Sequence, residues 1–231
     1  MSEPLVVVMA KAPELGKVKT RLASTLGDDE TLKIYEFLLH LTLQNVDESG
    51  FSHRIYWTTR PNDHSGEIFL QAEGDLGEKM KAVFEDSFAD HSPVIMIGTD
   101  CPEVTPVVLS AAVNALQEVD CVFGPANDGG YYLIGLKGFH PALFRNMAWS
   151  TPTVFTTTCA RAAQMGLPVH VLHEWYDVDE AQDFHRLKAE FDGQAPFADA
   201  VLQGGSARHT RALLASWAAA ETSPPQQSAQ G

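Results

Sequence analysis

Short apolar runs alternate along this sequence with longer stretches of helical periodicity, and this alternation limits the possible folds more than any other feature. Leu5–Met9 (LVVVM) contains no polar residue, as in a strand that is buried on both faces of a sheet. Asp28–Val46 follows with leucines at helical spacing and three acidic residues in its first turn. This order predicts an α/β domain with a mostly parallel central sheet flanked by helices.

The remaining segments continue the pattern. Further strands are predicted at His53–Thr58, Val94–Ile97, Cys121–Phe123, Tyr131–Leu136 and Pro168–Leu172. Further helices are predicted at Gly77–Phe88, from Pro106 after an N-cap at Thr105 to about Leu116, at Glu180–Phe191 and at Ala207–Ala220. No linker or repeat divides the chain, so we expect one domain over residues 1–220. Residues 221–231 are rich in Pro, Gln and Ser and are expected to form a disordered tail.

The charge balance excludes several classes of protein. Sixteen Lys and Arg residues against 30 Asp and Glu residues leave a net charge of −14, which argues against a general binder of nucleic acid or acidic membranes. No apolar run approaches the roughly 20 residues that a membrane-spanning helix needs, and the N-terminus lacks the features of a signal peptide. The spacing of the cysteines and histidines matches neither a disulfide framework nor a zinc site. We therefore expect a cytoplasmic protein. No feature indicates its oligomeric state.

A basic loop follows the first predicted strand, although the protein as a whole is acidic. It contains Lys11, Gly16, Lys17, Lys19 and Arg21. Ligands of open α/β sheets bind beyond the carboxyl ends of the strands, and several cations there suit a di- or triphosphate. The loop has neither the Walker pattern nor GxGxxG, and a solvated basic loop explains the same composition.

Two aspartates occupy similar positions after predicted strands. Asp100 directly follows Val94–Ile97 in IGTDCP, and Asp179 ends the run Asp177-Val178-Asp179. Each suits Mg²⁺ or Mn²⁺ that bridges to a phosphate, and each could instead cap the next turn. Two close carboxylates repel each other without a metal, so we expect Asp100→Asn and Asp179→Asn to leave the melting temperature equal or slightly higher.

The segment Gly124–Leu136 (GPANDGGYYLIGL) places polar residues between two apolar runs. An Asp-Gly pair between strands is first of all a hairpin turn. The alternative is a ligand-binding loop, which the neighbouring basic and acidic motifs favour.

Together these segments resemble the GT-A-fold superfamily of nucleotide-diphospho-sugar transferases over about Leu5–Leu187. The sequence is most similar to the bacterial radical-SAM/selenodomain-associated transferases, which are described as glycosyltransferases. Its layout is also similar to that of molybdenum-cofactor guanylyltransferases, phospholactate guanylyltransferases and N-acetylglucosamine-phosphate uridylyltransferases. The resemblance depends on the order of the motifs KTRL, QAEGDLGEKM, GTDCP, GPANDGGYYLIGL and DVDEAQDF.

The resemblance implies a single Rossmann-like GT-A domain and a role for each motif. Nucleotide binding would involve Lys11, Gly16, Lys17, Lys19, Arg21, Gln71 and Gly77, the last two at the base. Metal binding would involve Asp100 and Asp179, with Lys19 and Arg21 completing the catalytic set. Sugar or acceptor binding would involve Asn127, Asp128, Gly129, Gly130 and Tyr131. The sequence departs from the nucleotidyltransferases at Ala10 and Ala12, where those have glycines, and it has a lone Asp in TDCP rather than DxD.

These features predict a transferase that uses Mg²⁺ or Mn²⁺ and acts on a nucleotide-activated substrate. The family resemblance favours glycosyl transfer from an NDP-sugar to a small-molecule acceptor. The four cations of the basic loop favour the alternative, nucleotidyl transfer from an NTP to a small phosphorylated acceptor. A non-catalytic nucleotide-binding regulator is the third hypothesis, and the presence of both Asp100 and Asp179 argues against it.

Overall fold

The computed structural model describes residues 3–62 and 66–191. Within these ranges the chain forms seven strands, six α-helices and one 3₁₀ helix at Pro141–Phe144. The strands are β1 (Leu5–Ala10), β2 (Ser52–Trp57), β3 (Phe69–Leu70), β4 (Val94–Ile97), β5 (Cys121–Pro125), β6 (Tyr131–Leu136) and β7 (Val169–Val171). The helices are α1 (Thr20–Leu26), α2 (Asp28–Ser49), α3 (Leu76–Ser87), α4 (Pro106–Glu118), α5 (Val154–Gln164) and α6 (Ala181–Phe191).

All seven strands join one sheet in the order β3-β2-β1-β4-β6-β5-β7. Only β6 runs antiparallel to its neighbours, β4 and β5, while every other pairing in the sheet is parallel. The carboxyl ends of the other six strands therefore lie along one edge of the sheet. The predicted α/β class with a mostly parallel sheet is confirmed.

Strand β1 shows why its sequence is uninterrupted by polar residues. Val6 and Val8 pack on one face of the sheet against residues of α1, α2, α4 and α6. Leu5 and Val7 pack on the other face against residues of α3 and α5. Each of the four side chains is at most 1% exposed, so both faces of this strand require apolar residues.

The helix starts follow their local sequence. Helix α4 begins at Pro106, and the Thr105 hydroxyl accepts a hydrogen bond from the Val108 amide at 3.4 Å, as the predicted N-cap requires. Helix α3 begins after a capping box: the Asp75 carboxylate accepts from the Glu78 amide, and the Glu78 carboxylate accepts from the Asp75 amide.

Some elements were not predicted, and two predictions cannot be compared with the structure. Helix α5 contains a run of threonines, which favour strands over helices, and α1 is only seven residues long. The predicted helix at Ala207–Ala220 and the tail at 221–231 lie outside the described residues. Among the helices at 3–62 and 66–191, none is both long and apolar enough to cross a membrane.

Candidate functional site

A cavity of about 530 Å³ lies at the edge of the sheet where β1 and β4 end. One part of its wall is charged and the other is largely apolar. The charged lining residues are Lys11, Lys19, Arg21, Lys79, Asp100 and Asp179. The other part includes Met9, Leu76, Met80, Met96, Tyr131 and Ile134.

Lys19 is the centre of the charged part. Its Nζ lies 2.9 Å from Asp100 Oδ1 and 2.8 Å from Asp179 Oδ1, and its side chain is 5% exposed. Its backbone is left-handed, with φ 46° and ψ 48°, at the residue that precedes α1. A non-glycine residue rarely adopts this conformation, and such residues cluster at functional sites.

Arg21 adds a second cation to the same carboxylate. One of its guanidinium nitrogens, Nη2, donates to Asp179 Oδ2, and the other, Nη1, lies 3.9 Å from the Glu180 carboxylate. Burial alone would raise the pKa of Asp179, but Lys19 and Arg21 outweigh it and hold that pKa below its usual range. Burial alone would lower the pKa of Lys19, but the charges of Asp100 and Asp179 raise it above its usual value. The ion pair is therefore charged at neutral pH.

Backbone contacts hold the segments of the site together. The Val178 amide donates to the Asp100 carbonyl at 2.9 Å, which joins the two segments that bear the carboxylates. The Tyr35 hydroxyl, on α2, donates to the Lys11 carbonyl at 2.7 Å and accepts from the Lys11 amide at 2.9 Å. These bonds fix the start of the basic loop beside the carboxylates.

The structure corrects one electrostatic expectation. Asp100 and Asp179 do lie together, but the ammonium of Lys19 lies between them, so their mutual repulsion does not dominate. Removing either carboxylate deprives a buried lysine of a partner, which destabilises the folded state. These contacts favour the opposite outcome, a lower melting temperature for both asparagine variants, and the melting temperature itself stays a prediction.

The oxygens of this pair suit a hard divalent cation. Mg²⁺ is commonly held by one or two carboxylates together with substrate phosphates, and the two Oδ1 atoms already converge on one cation, the Lys19 ammonium. Over residues 3–62 and 66–191, no group of three or more His, Cys, Asp or Glu side chains could hold a metal by itself. The pair therefore fits a metal that arrives with a phosphate ligand rather than one in an all-protein cage.

The other predicted nucleotide-binding residues differ in whether they line the cavity. Gln71 lines it, but its side-chain amide donates to the carbonyls of Ala10 at 3.1 Å and Tyr56 at 2.8 Å, so that nitrogen is committed to the strand ends. Gly77 is not in the lining. A Cβ at Gly77 would lie 2.6 Å from the indole nitrogen of Trp149, so close packing accounts for this glycine. Gly16 and Lys17 are also outside the lining.

Of the predicted sugar or acceptor residues, only Tyr131 lines the cavity. Asp128 Oδ1 accepts from the Gly130 amide at 2.8 Å, which is the hydrogen bond of a turn. The Asn127 amide donates to the Trp175 carbonyl at 2.8 Å. The hairpin interpretation therefore accounts for residues 127–130, between the antiparallel strands β5 and β6.

Gly129 is a position where this turn requires glycine. Its φ is +88°, and a Cβ there would collide with the backbone of Pro152. We expect Gly129→Ala to lower the free energy of unfolding by about 2 kcal/mol or more in urea denaturation. Gly166→Ala is the matched control, since Gly166 also has a positive φ, +69°, but has open space around it. Equal losses in the two variants would show that the Pro152 contact is unimportant.

Asp177 lies beside the ion pair, and the thiol of Cys101 is near it. Burial, and then the charges of Asp100 and Asp128, raise the pKa of Asp177 to about 7. Burial raises the pKa of the Cys101 thiol well above its usual value, and the charge of Asp177 raises it further. Because a thiol with a raised pKa is a poor nucleophile, a packing role suits Cys101.

Lys79 was not selected from the sequence. It lines the cavity from the first turn of α3. A lysine in the first turn of a helix is electrostatically unfavourable, because the positive end of the helix dipole lies there. Its presence at this position is a signal of a functional role that sequence analysis could have used. Leu76, in the same turn, also lines the cavity although its side chain is exposed.

Comparison with known proteins supports the fold. Residues 40–151 match the family described as "Uncharacterized protein conserved in bacteria (DUF2064)". No curated protein matches the chain. A solved "putative nucleotide-diphospho-sugar transferase" from Desulfovibrio desulfuricans G20 is 29% identical, with 94% of this chain and 99% of that chain covered and a TM-score of 0.78.

More distant structures share the fold alone. A cytidylyltransferase from Leptospira borgpetersenii is 12% identical over 95% of this chain and 96% of its own, with a TM-score of 0.55. A Mycobacterium tuberculosis H37Rv protein solved in complex with manganese is 14% identical over 80% of this chain and 98% of its own, with a TM-score of 0.51. The similarity to the Desulfovibrio desulfuricans structure supports the nucleotide-diphospho-sugar transferase superfamily. The narrower resemblance to radical-SAM-associated transferases stays a prediction.

Proposed function

We propose that this chain is a metal-dependent transferase that acts on a nucleotide-activated substrate, with glycosyl transfer from an NDP-sugar to a small-molecule acceptor as its reaction. The convergence of Asp100 and Asp179 on Lys19 inside the cavity carries the proposal. The similarity to the Desulfovibrio desulfuricans protein, which is described as a "putative nucleotide-diphospho-sugar transferase", supports the same class. The proposed partners are a nucleotide and a small-molecule acceptor. Nucleic acid is not among them.

Two cations in the cavity are available for the phosphates. Within the described ranges, neither Lys11 nor Lys79 has a carboxylate within 4.0 Å of its ammonium, and both line the cavity. On a protein with a net charge of −14, uncompensated ammonium groups in a cavity attract anions to that place. Phosphate oxygens are suitable partners because charge-assisted hydrogen bonds to them are strong.

The proposed reaction requires positive charge beside the departing nucleoside diphosphate. In glycosyl transfer the bond from the anomeric carbon to the diphosphate oxygen breaks, and a bond to the acceptor oxygen forms. The acceptor hydroxyl gives up its proton, which the released diphosphate or the solvent takes up. Mg²⁺ or Mn²⁺ held by Asp100 and Asp179 would neutralise the negative charge that the diphosphate gains. Lys11, Lys79 and Arg21 would bind and orient the same phosphates from the surrounding wall.

Nucleotidyl transfer from an NTP is the second candidate, and a specific observation favours it. The cavity wall contains four basic side chains, those of Lys11, Lys19, Arg21 and Lys79. A triphosphate carries more negative charge than a sugar diphosphate, so it would interact with more of these four basic side chains. A purely regulatory nucleotide binder needs neither Asp100 nor Asp179.

A thermal-shift screen of NTPs and NDP-sugars, with and without Mg²⁺ or Mn²⁺, tests the proposal. A ligand that binds the folded state raises the melting temperature by mass action. We expect an NDP-sugar to raise it more with metal than without, and a response to NTPs alone would favour nucleotidyl transfer. Lys11→Met should weaken the response, whereas Lys33→Met, at an exposed position on α2, should not. No response to any nucleotide would contradict the proposal.

A further inference from the structure

We propose that Lys19 is a resident cation that occupies the metal position between Asp100 and Asp179 and must leave before a divalent ion can bind there. Only one part of this proposal rests on the proposed function, namely that the phosphates of a bound nucleotide ligand draw the Lys19 ammonium away from the carboxylates. Competition between Lys19 and the metal is a property of the chain itself.

The geometry makes the two occupants mutually exclusive. The Lys19 ammonium bonds Oδ1 of both aspartates, at 2.9 and 2.8 Å, while Asp179 Oδ2 bonds Arg21. A divalent ion held by the same two aspartates would need the place where the ammonium lies, because metal–oxygen bonds are only about 2.0–2.6 Å long. Two positive centres that close together also repel each other.

A bound ligand with phosphates would offer the ammonium another anionic partner. The lysine side chain is long and flexible, so its ammonium can move while the backbone before α1 stays in place. Among the described residues, only Asp100 and Asp179 lie within salt-bridge distance of the Lys19 ammonium. A phosphate bound beside Lys11 would supply a replacement for them. Metal binding and phosphate binding would then favour each other, because each stabilises the arrangement in which Lys19 has left the carboxylates.

Mn²⁺ alone tests the competition without any nucleotide. We would measure the electron paramagnetic resonance signal of free Mn²⁺ in titrations of the wild-type chain and Lys19→Met, which keeps the side-chain length and removes the charge. If the arrangement with Lys19 displaced is populated to about 0.1–10%, Lys19→Met should bind Mn²⁺ about 10- to 1000-fold more tightly than the wild type. Adding Asp100→Asn to Lys19→Met should abolish the gain.

Lys33→Met is the matched control. Lys33 also pairs with a carboxylate, that of Glu30 at 3.4 Å, but its side chain is 60% exposed. Its Mn²⁺ affinity should equal that of the wild type. If Lys19→Met does not fold, Lys19→Gln, which keeps a hydrogen-bond donor, is titrated in its place.

Wild-type affinity equal to that of the folded Lys19 variant would overturn the proposal, whether both bind Mn²⁺ or neither does. The result is independent of the nucleotide screen. A gain in Mn²⁺ affinity with no nucleotide response would support the competition and contradict the transferase function. A nucleotide response with no gain in Mn²⁺ affinity would contradict the competition and support the transferase function.

Discussion

Replacement of Asp179 by asparagine is expected to abolish transfer and to lower the free energy of unfolding by about 2–3 kcal/mol. The variant removes one of two carboxylates from Lys19, whose side chain is 5% exposed, and removes the nearer of the two carboxylates beside Arg21. Breaking a fully buried ion pair costs about 3–5 kcal/mol and an exposed one up to about 1 kcal/mol. Asp179 is intermediate, with a side chain 27% exposed. Urea denaturation measures the stability, and transfer is assayed with the substrate that the nucleotide screen identifies.

Asp90→Asn is the control for this variant. Asp90 also pairs with an arginine, since its Oδ2 lies 2.7 Å from Arg54 Nη2, but its side chain is 54% exposed. We expect it to cost much less stability than Asp179→Asn, because exposed ion pairs contribute little, and to leave transfer unchanged. An Asp179→Asn variant as stable as the wild type would show that the carboxylate does not hold the buried lysine.

Replacement of Glu103 by glutamine is expected to make the protein more stable at high pH. Glu103 is 5% exposed, and its Oε2 has no hydrogen-bond partner among the described residues. Burial, and then the charge of Glu190 on α6, raise its pKa from 4.5 to about 8. The folded chain therefore keeps a proton that the unfolded chain releases, so stability falls as pH rises from about 4.5 to about 8. Glutamine removes this loss, which amounts to a few kcal/mol.

Denaturant unfolding at about pH 5 and about pH 9 measures this difference, since these values lie near the two ends of the interval. Glu103→Gln should differ little from the wild type at the lower pH and should be clearly more stable at the higher one. Glu118→Gln, at an exposed position at the end of α4, is the control and should follow the wild type. Parallel pH profiles for Glu103→Gln and the wild type would contradict a buried carboxyl that keeps its proton.

The sequence predicts the sheet well because the physical constraint is local. Strands β1 and β4 are buried on both faces and must be apolar along their length, which leaves an unmistakable pattern. Helix α5 was missed because its threonines obscure the periodicity. In the folded chain, the hydroxyl of Thr158 donates to the Val154 carbonyl at 2.8 Å, within the helix itself.

The residues of the candidate site could be predicted more readily than their contacts. The rule that ligands bind beyond strand ends selects Asp100, Asp179 and the basic loop, and all of them except Gly16 and Lys17 line the cavity. The bond from Lys19 to Asp179 joins residues 160 positions apart, and no local pattern records such a contact. For the same reason the sequence predicted repulsion between two aspartates that a lysine in fact bridges.

Diffraction from crystals grown with Mn²⁺ and the nucleotide that raises the melting temperature most tests the central claim directly. The anomalous signal of manganese locates the ion without reference to any assumed chemistry. We predict one manganese peak within about 2.0–2.6 Å of carboxylate oxygens of both Asp100 and Asp179, with the nucleotide's phosphates beside it and Lys19 moved onto them. A nucleotide bound elsewhere, or a peak away from these two carboxylates, would contradict the account.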